Sequence, residues 1–191
     1  MENNVITVYA ESTPNPASLK FVTNRLLLQG TVEYLKREQA VNSPFAQQLF
    51  DFSCVTGIFI TNNFVTITKT ADTDWHDVMN IIREFIKSYL TSEDPIFTDT
   101  AEPKPIERVE LSNEENHHIE EQIKQILDEY IRPAVEMDGG AIHLKSFHDG
   151  VVTVKLKGSC SGCPSSTVTL KSGIERLLKN MVPEVAEVVA E

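Results

Sequence analysis

The chain has 191 residues, 41% of them hydrophobic and 24% charged, and a net charge of −11. That apolar share supports packed cores and excludes global disorder, and the length fits one domain or two small ones. An acidic chain without a basic arm is repelled by phosphate backbones, no run of about 18 apolar residues offers a membrane span, and three cysteines are too few for a disulfide scaffold. The first residues, MENNVITVYAESTPNP, have neither a secretory signal's layout nor a transit peptide's Arg-rich character, so a reducing, cytoplasmic setting is expected.

Val5–Ala10 reads as a strand, followed by the turn-rich STPNP and a second strand near Leu19–Val22. SPFAQQLF (43–50) reads as a short helix, with Ser43 as N-cap and Pro44 in its first turn. Val55–Thr61 and Phe64–Lys69 form a hairpin across Asn62–Asn63, because asparagine tolerates the positive φ of such turns. Over Asp72–Leu90, Trp75, Val78, Met79, Ile82, Phe85, Ile86, Tyr89 and Leu90 recur at helical spacing, and Asp72, Thr73 and Asp74 supply capping oxygens. These elements make a first domain over 1–92. Residues 93–113 are rich in acid and proline and read as a linker.

A second domain follows over 114–191. Ile119, Ile123, Ile126, Leu127, Tyr130 and Ile131 mark an amphipathic helix, kinked by Pro133 and ended by Asp138–Gly139–Gly140. Ala141–Phe147 and Val151–Lys157 pair across Asp149–Gly150, with Val152, Val154 and Leu156 on the buried face. A helix from about Pro164 to Asn180 turns Leu170, Ile174, Leu177, Leu178 and Met181 inward, and EVAEVVA (184–190) is a last strand. The predicted fold class is α+β throughout, two small domains, the second in the order α-β-β-α-β.

Charge is unevenly spread: residues 93–121 hold ten acids and two bases, residues 141–180 six bases and two acids. The basic region contains Cys160 and Cys163, in a loop between a strand and a helix. Gly158 and Gly162 let that loop curl so that both thiols face one point. Pro164 and Ser165–Ser166 open the next helix. Its free amides and dipole, with Lys155, Lys157 and Lys171, favour thiolates, the form that ligates metal or acts as nucleophile. A C-x2-C pair serves zinc sites, iron–sulfur sites and dithiol catalysts alike. Structural zinc needs four ligands, and His117, His118, His143 and His148 have no finger-like spacing. Full ligation of an iron–sulfur cluster also needs about four thiolates, so two chains sharing one cluster across a two-fold axis is an arrangement the arithmetic allows. No acid–base pair, nucleophile triad or phosphate loop stands out, and the chain is expected not to be an enzyme. His76 reads as a solvated helix residue, and Cys54, among apolar neighbours, as a buried inert thiol.

GSCSGCPSSTVTLKSGIERLL (158–178), with MDGGAIHL (137–144) upstream, resembles the C-terminal domain of the NifU family of iron–sulfur scaffolds. STPNPASLKF (12–21), SPFAQQLF (43–50), GIFITNNFVTITK (57–69) and the helix opening at Asp74–Trp75 resemble the N-terminal domain of Nfu proteins. Three features depart from the pattern: Cys54 where a glycine is usual, Ala141 where an acidic residue often follows the glycine pair, and an unusually acidic linker. The resemblance implies a labile [4Fe–4S] cluster shared by a homodimer, with Cys160 and Cys163 of each subunit as its ligands. It also implies delivery to apo iron–sulfur proteins, an upstream assembly scaffold as donor, and an N-terminal domain that helps recognise partners. The alternatives left by the residues are a thiol–disulfide oxidoreductase and a zinc-bridged interaction module. Against the oxidoreductase, Pro164 follows the cysteine pair, and a hairpin rather than a parallel βαβ unit precedes it.

Overall fold

The computed structural model describes residues 5–98, 114–161 and 164–191. They belong to two compact units, Met1–Lys104 and Pro105–Glu191, each with its own sheet.

The first unit runs β1 (Val8–Ser12), β2 (Ser18–Thr23), β3 (Leu28–Tyr34), a 3-10 turn (Arg37–Gln39), α1 (Pro44–Leu49), β4 (Val55–Asn62), β5 (Phe64–Lys69) and α2 (Trp75–Thr91). Its sheet has the order β1-β2-β5-β4-β3, antiparallel throughout. Asn62, at φ 40°, makes the β4–β5 turn that its side chain was expected to tolerate. Both helix caps fall where the sequence puts them. Ser43 Oγ accepts the Ala46 N–H at 3.2 Å, and an Asp74 carboxylate oxygen accepts the His76 N–H at 2.8 Å. All eight apolar residues of the α2 stripe join the core, alongside Phe21, Phe45, Ile58, Ile60 and Ile67. Cys54 is buried in that core. β3 was not anticipated: it is an edge strand, half-exposed, and its register shifts between Leu28 and Thr31 around Gly30, at φ 120°.

Residues 94–98, read above as the start of a linker, lie against the first unit instead. Tyr89 donates its hydroxyl to the Pro95 carbonyl (2.9 Å), Ser43 donates to the Ile96 carbonyl (2.7 Å), and the Thr98 amide donates to the Asn42 carbonyl (2.9 Å). Ile96 and Phe97 pack against the core. Two apolar side chains and three hydrogen bonds outweigh the acids around them. The remainder of the acidic stretch, 99–113, lies outside the described residues.

The second unit runs α3 (Glu114–Ile126), a π-helical segment (Leu127–Ile131), α4 (Arg132–Met137), β6 (Gly140–His148), β7 (Val151–Gly158), α5 (Pro164–Met181) and β8 (Glu187–Ala190). The order α-β-β-α-β is the expected one. The sheet is β6-β7-β8, with β6–β7 antiparallel and β8 parallel to β7. Asp149 (φ 48°) and Gly150 (φ 80°) make the tight turn between β6 and β7. Val152, Val154 and Leu156 are buried, as their alternation requires, against Ile123, Leu127, Val135, Ile174 and Leu178. Glu120, one of the acids of the stretch, is buried on α3 and accepts the Phe147 N–H at 3.2 Å.

Pro133 acts through the backbone. It has no N–H to continue the helix ladder, and the chain widens by one residue: the Arg132 N–H donates to the Leu127 carbonyl, five residues back. The widened turn carries Tyr130 to the surface, 51% exposed, where the helical pattern placed it inside. Met181 is likewise 45% exposed; it is the last residue of α5, and Val182 takes the buried position.

Candidate metal centre

The two halves of the C-terminal motif meet. Gly140, the first residue of β6, pairs with Gly158, the last of β7. Gly158 sits at φ 70°, a left-handed conformation that turns the chain out of the strand as the sequence reading expects. The loop that follows is tied to the Asp138–Gly139 turn: the Ser159 N–H donates to the Gly139 carbonyl (3.2 Å), and Ser159 Oγ donates to the Asp138 carbonyl. Ser161 closes the turn by donating its N–H (3.2 Å) and its hydroxyl (2.9 Å) to the Gly158 carbonyl. From the first turns of α5, Thr167 Oγ1 donates to the Cys160 carbonyl at 3.1 Å.

Cys160, with its carbonyl held by Thr167 and its two neighbours tied to the Asp138–Gly139 turn and to Gly158, is 6% exposed and part of the core of the second unit. Its sulfur lies over Gly140 so closely that a Cβ there would stand 2.8 Å from Sγ and 2.7 Å from the Lys157 carbonyl oxygen. Only glycine fits. Cys163 and Gly162 lie outside the described residues.

The electrostatics of Cys160 differ from the thiolate-favouring site read from the sequence. Burial, the largest cause, pushes its thiol up, and the Asp138 charge adds to this; the hydrogen-bonding contact with Ser159 Oγ, at 3.8 Å, opposes them. Lys171, counted among the supporting cations, is 3.8 Å from Glu187. Of the histidines, His117, His118 and His148 are exposed. His143 faces Lys155 across β6–β7, and its pKa falls to about 4, chiefly by burial and then by Lys157 and Arg132, with Asp128 opposing. Among the described residues, no three His, Cys, Asp or Glu side chains group to hold a metal ion.

Sequence reasoning found the cysteine loop and its glycines but not the supports. Ser159 and Thr167 are ordinary residues in sequence, and what makes them matter is a contact with a carbonyl 21 or 7 residues away. For Gly140 the signal was present: a second glycine after the one that ends the helix has no conformational need of its own.

The comparisons with known proteins bear on the same two segments. The model of the NifU-like domain matches residues 123–189, and that of the scaffold protein Nfu/NifU N terminal matches residues 8–93. The human "NFU1 iron-sulfur cluster scaffold homolog, mitochondrial" is 37% identical over 180 residues, covering 93% of this chain and 69% of that protein. The chain belongs to the Nfu/NifU scaffold family. A NifU-like protein of Schizosaccharomyces pombe is 35% identical over 191 residues (96% of this chain, 72% of that one). "NifU-like protein 4, mitochondrial" of Arabidopsis thaliana is 34% identical over 193 residues (100% and 68%). A solution NMR structure of a NifU-like protein from Saccharomyces cerevisiae, 21% identical, aligns with a TM-score of 0.44 over 52% of this chain and 90% of that one. The cytoplasmic expectation is corrected here: the human and Arabidopsis family members are named as mitochondrial, which points away from the cytosol.

Proposed function

We propose that this member of the Nfu/NifU family carries a labile [4Fe–4S] cluster, held by Cys160 and Cys163 of each of two subunits, and passes it to apo iron–sulfur proteins. The observation that supports this reading most directly is the loop at Cys160, which is built rather than loose. Gly140 opens the space for the sulfur, and Ser159 and Thr167 fix the backbone on either side. Each chain offers two thiols in the motif where a cluster takes about four, so the cargo is held at an interface between copies. Ligation replaces the thiol protons by iron, so loading releases protons. A ligand set split between two subunits opens when they separate, which suits delivery better than electron transfer. The first unit serves partner recognition, for the recipients or for an upstream scaffold that supplies the cluster.

Against the dithiol oxidoreductase, the cysteine pair follows the antiparallel β6–β7 hairpin rather than a parallel βαβ unit. The test is anaerobic reconstitution with iron and sulfide, followed by analysis of both and by light scattering on a sizing column. About four iron and four sulfide per dimer are expected, and neither Cys160→Ser nor Cys163→Ser should assemble a cluster. A full cluster retained by both single variants would overturn the assignment. Zinc in the protein as purified decides nothing by itself, because empty thiolate sites take zinc as well.

A further inference from the structure

In the first unit the middle of the sheet is buried on both faces. β2 is buried at all six of its residues, where a strand with one packed face should alternate. On one face Leu19, Phe21, Ile58, Ile60, Val65 and Ile67 join the core formed with α1 and α2. Strand pairing puts Glu11, Lys20, Thr66, Phe59 and Glu33 in one row across the opposite face, from β1 to β3. The next row adds Val22, Phe64 and Thr61. Phe59 and Thr66 are each 1% exposed, and Lys20 only 8%. The outward residues of β7 in the second unit make the contrast: Thr153 and Lys157 are half-buried and Lys155 is exposed.

The core's helices do not account for that burial. Among the described residues, Phe59, Phe64 and Val22 belong to neither packed core. The two rings lie 6.2 Å apart, and Lys20 Nζ stands 4.6 Å from the centre of the Phe64 ring. Rings, Val22 and the lysine stem make an apolar floor. Four residues precede Val5, with Met1 alone apolar, too few for two rows. The chain leaving the first unit is better placed. The Thr98 amide donates to the Asn42 carbonyl, and the Asn42 side chain accepts the hydroxyl of Tyr34, the last residue of the edge strand β3. Its neighbour Glu33 is the β3 end of the buried row. Fifteen residues, 99–113, separate Thr98 from Glu114. Extended, they reach about 50 Å, whereas five strands span about 19 Å. They include Ile106, Val109 and Leu111, and Pro103 and Pro105 favour an extended course over a helix.

We infer that this second face of the sheet is the docking surface for residues 99–113 of the same chain, which round the β3 edge and lay Ile106, Val109 and Leu111 on Phe59, Phe64 and Val22. Charge does not drive the contact. Lys20 is paired with Glu11 at 3.0 Å, Glu33 stands at the β3 end, and the segment holds four acids beside Lys104 and Arg108. The apolar side chains of the segment are what the floor binds. Residues 94–98 behave in the same way on the helix side of the sheet, where Ile96 and Phe97 join the core despite the acids around them. The acidic stretch is then part of the first unit rather than a free spacer. Its docking shortens the tether that sets how far the second unit ranges from the first.

The test uses the full chain, isotopically labelled for NMR; the apo protein serves, since the contact does not involve the cysteine loop. Nuclear Overhauser contacts are expected between the ring protons of Phe59 and Phe64 and the methyl groups of Ile106, Val109 and Leu111. Ile106→Ser, Val109→Ser and Leu111→Ser together should remove them and shift the Thr61 and Thr66 resonances. The same triple variant should lower the first unit's transition in calorimetry by roughly 5 °C or more and leave that of the second unit in place. Three outcomes overturn the inference. The rings could contact residues beyond Glu114, which would give the face to the second unit. They could contact nothing outside the first unit, which would leave the face open. Or the triple variant could keep the melting temperature and the Thr61 and Thr66 resonances of the unmodified chain.

Discussion

Replacing Gly140 by alanine adds one methyl group at the most crowded point of the cysteine loop. Its Cβ would lie 2.7 Å from the Lys157 carbonyl oxygen, 2.8 Å from Cys160 Sγ and 3.3 Å from Cys160 Cβ. The first neighbour is backbone, locked in the β6–β7 ladder, so the strain cannot be relieved by a side-chain rotation. Forcing a methyl into such a site costs about 1–3 kcal/mol, and the lower chain entropy of alanine returns roughly 0.5–1 kcal/mol of it. A net loss of about 1–2 kcal/mol lowers the melting temperature of a unit this size by roughly 5–15 °C. Differential scanning calorimetry should show the transition of the second unit moving down while that of the first stays. The displaced Sγ should also reduce iron loading. Gly173→Ala is the matched control. It adds the same methyl within α5, where a Cβ would meet nothing within 4 Å, and should stabilise by about 0.5–1 kcal/mol, because alanine is the better helix former. A Gly140→Ala protein that melts at or above the temperature of the unmodified chain would refute the steric account of this glycine.

Two further outcomes follow from the two cores. Ser43→Ala removes both the cap of α1 and the donor to the Ile96 carbonyl from a fully buried site. It should cost the first unit about 1–2 kcal/mol, read by the fluorescence of Trp75, the one tryptophan of the chain, with faster hydrogen exchange at residues 95–98; no change in either would remove the docking role given to Ser43. His143, depressed from 6.5 to about 4, binds its proton more readily in the unfolded chain. Its contribution is therefore present above pH 6.5 and lost as the pH falls towards 4. Urea melts of the second unit should show that loss, and His143→Gln should flatten it. An imidazole titrating near 6.5 in NMR spectra would contradict the burial argument.

Much of the fold was legible because its signals are local. The α2 stripe, the Ser43 and Asp74 caps, the Asn62 and Asp149–Gly150 turns and the alternation on β7 each follow from side chains a few residues apart. The failures came where distant contacts decide. β3 carries a weak, half-exposed pattern with a glycine bulge, and only its pairing with β4 makes it a strand. Ile96 and Phe97 look solvated among acids until a core is there to receive them. Tyr130 obeys a 3.6-residue period that Pro133 interrupts, so the pattern placed it on the wrong side. At the site, spacing located the cysteine loop, but a loop between a strand and a helix gave no warning that Cys160 turns inward. Its burial depends on the missing side chain of Gly140, twenty residues earlier in the chain.

The parallel pairing of β8 with β7 has a consequence for synthesis. β7 is the middle strand of its sheet, and its second neighbour begins at Glu187, about thirty residues after β7 ends at Gly158. Val188 fills the core, and the Leu156 amide finds its acceptor only at the Glu191 carbonyl. The first unit is complete far earlier in the chain, its last strand ending at Lys69 and α2 at Thr91, with residues 94–98 docking just after. A nascent chain thus carries a finished first unit ahead of a second whose central strand has emerged with one edge still unpaired. Until the last strand adds on, that open edge can pair with another chain, and this interval is where the protein has most need of a chaperone.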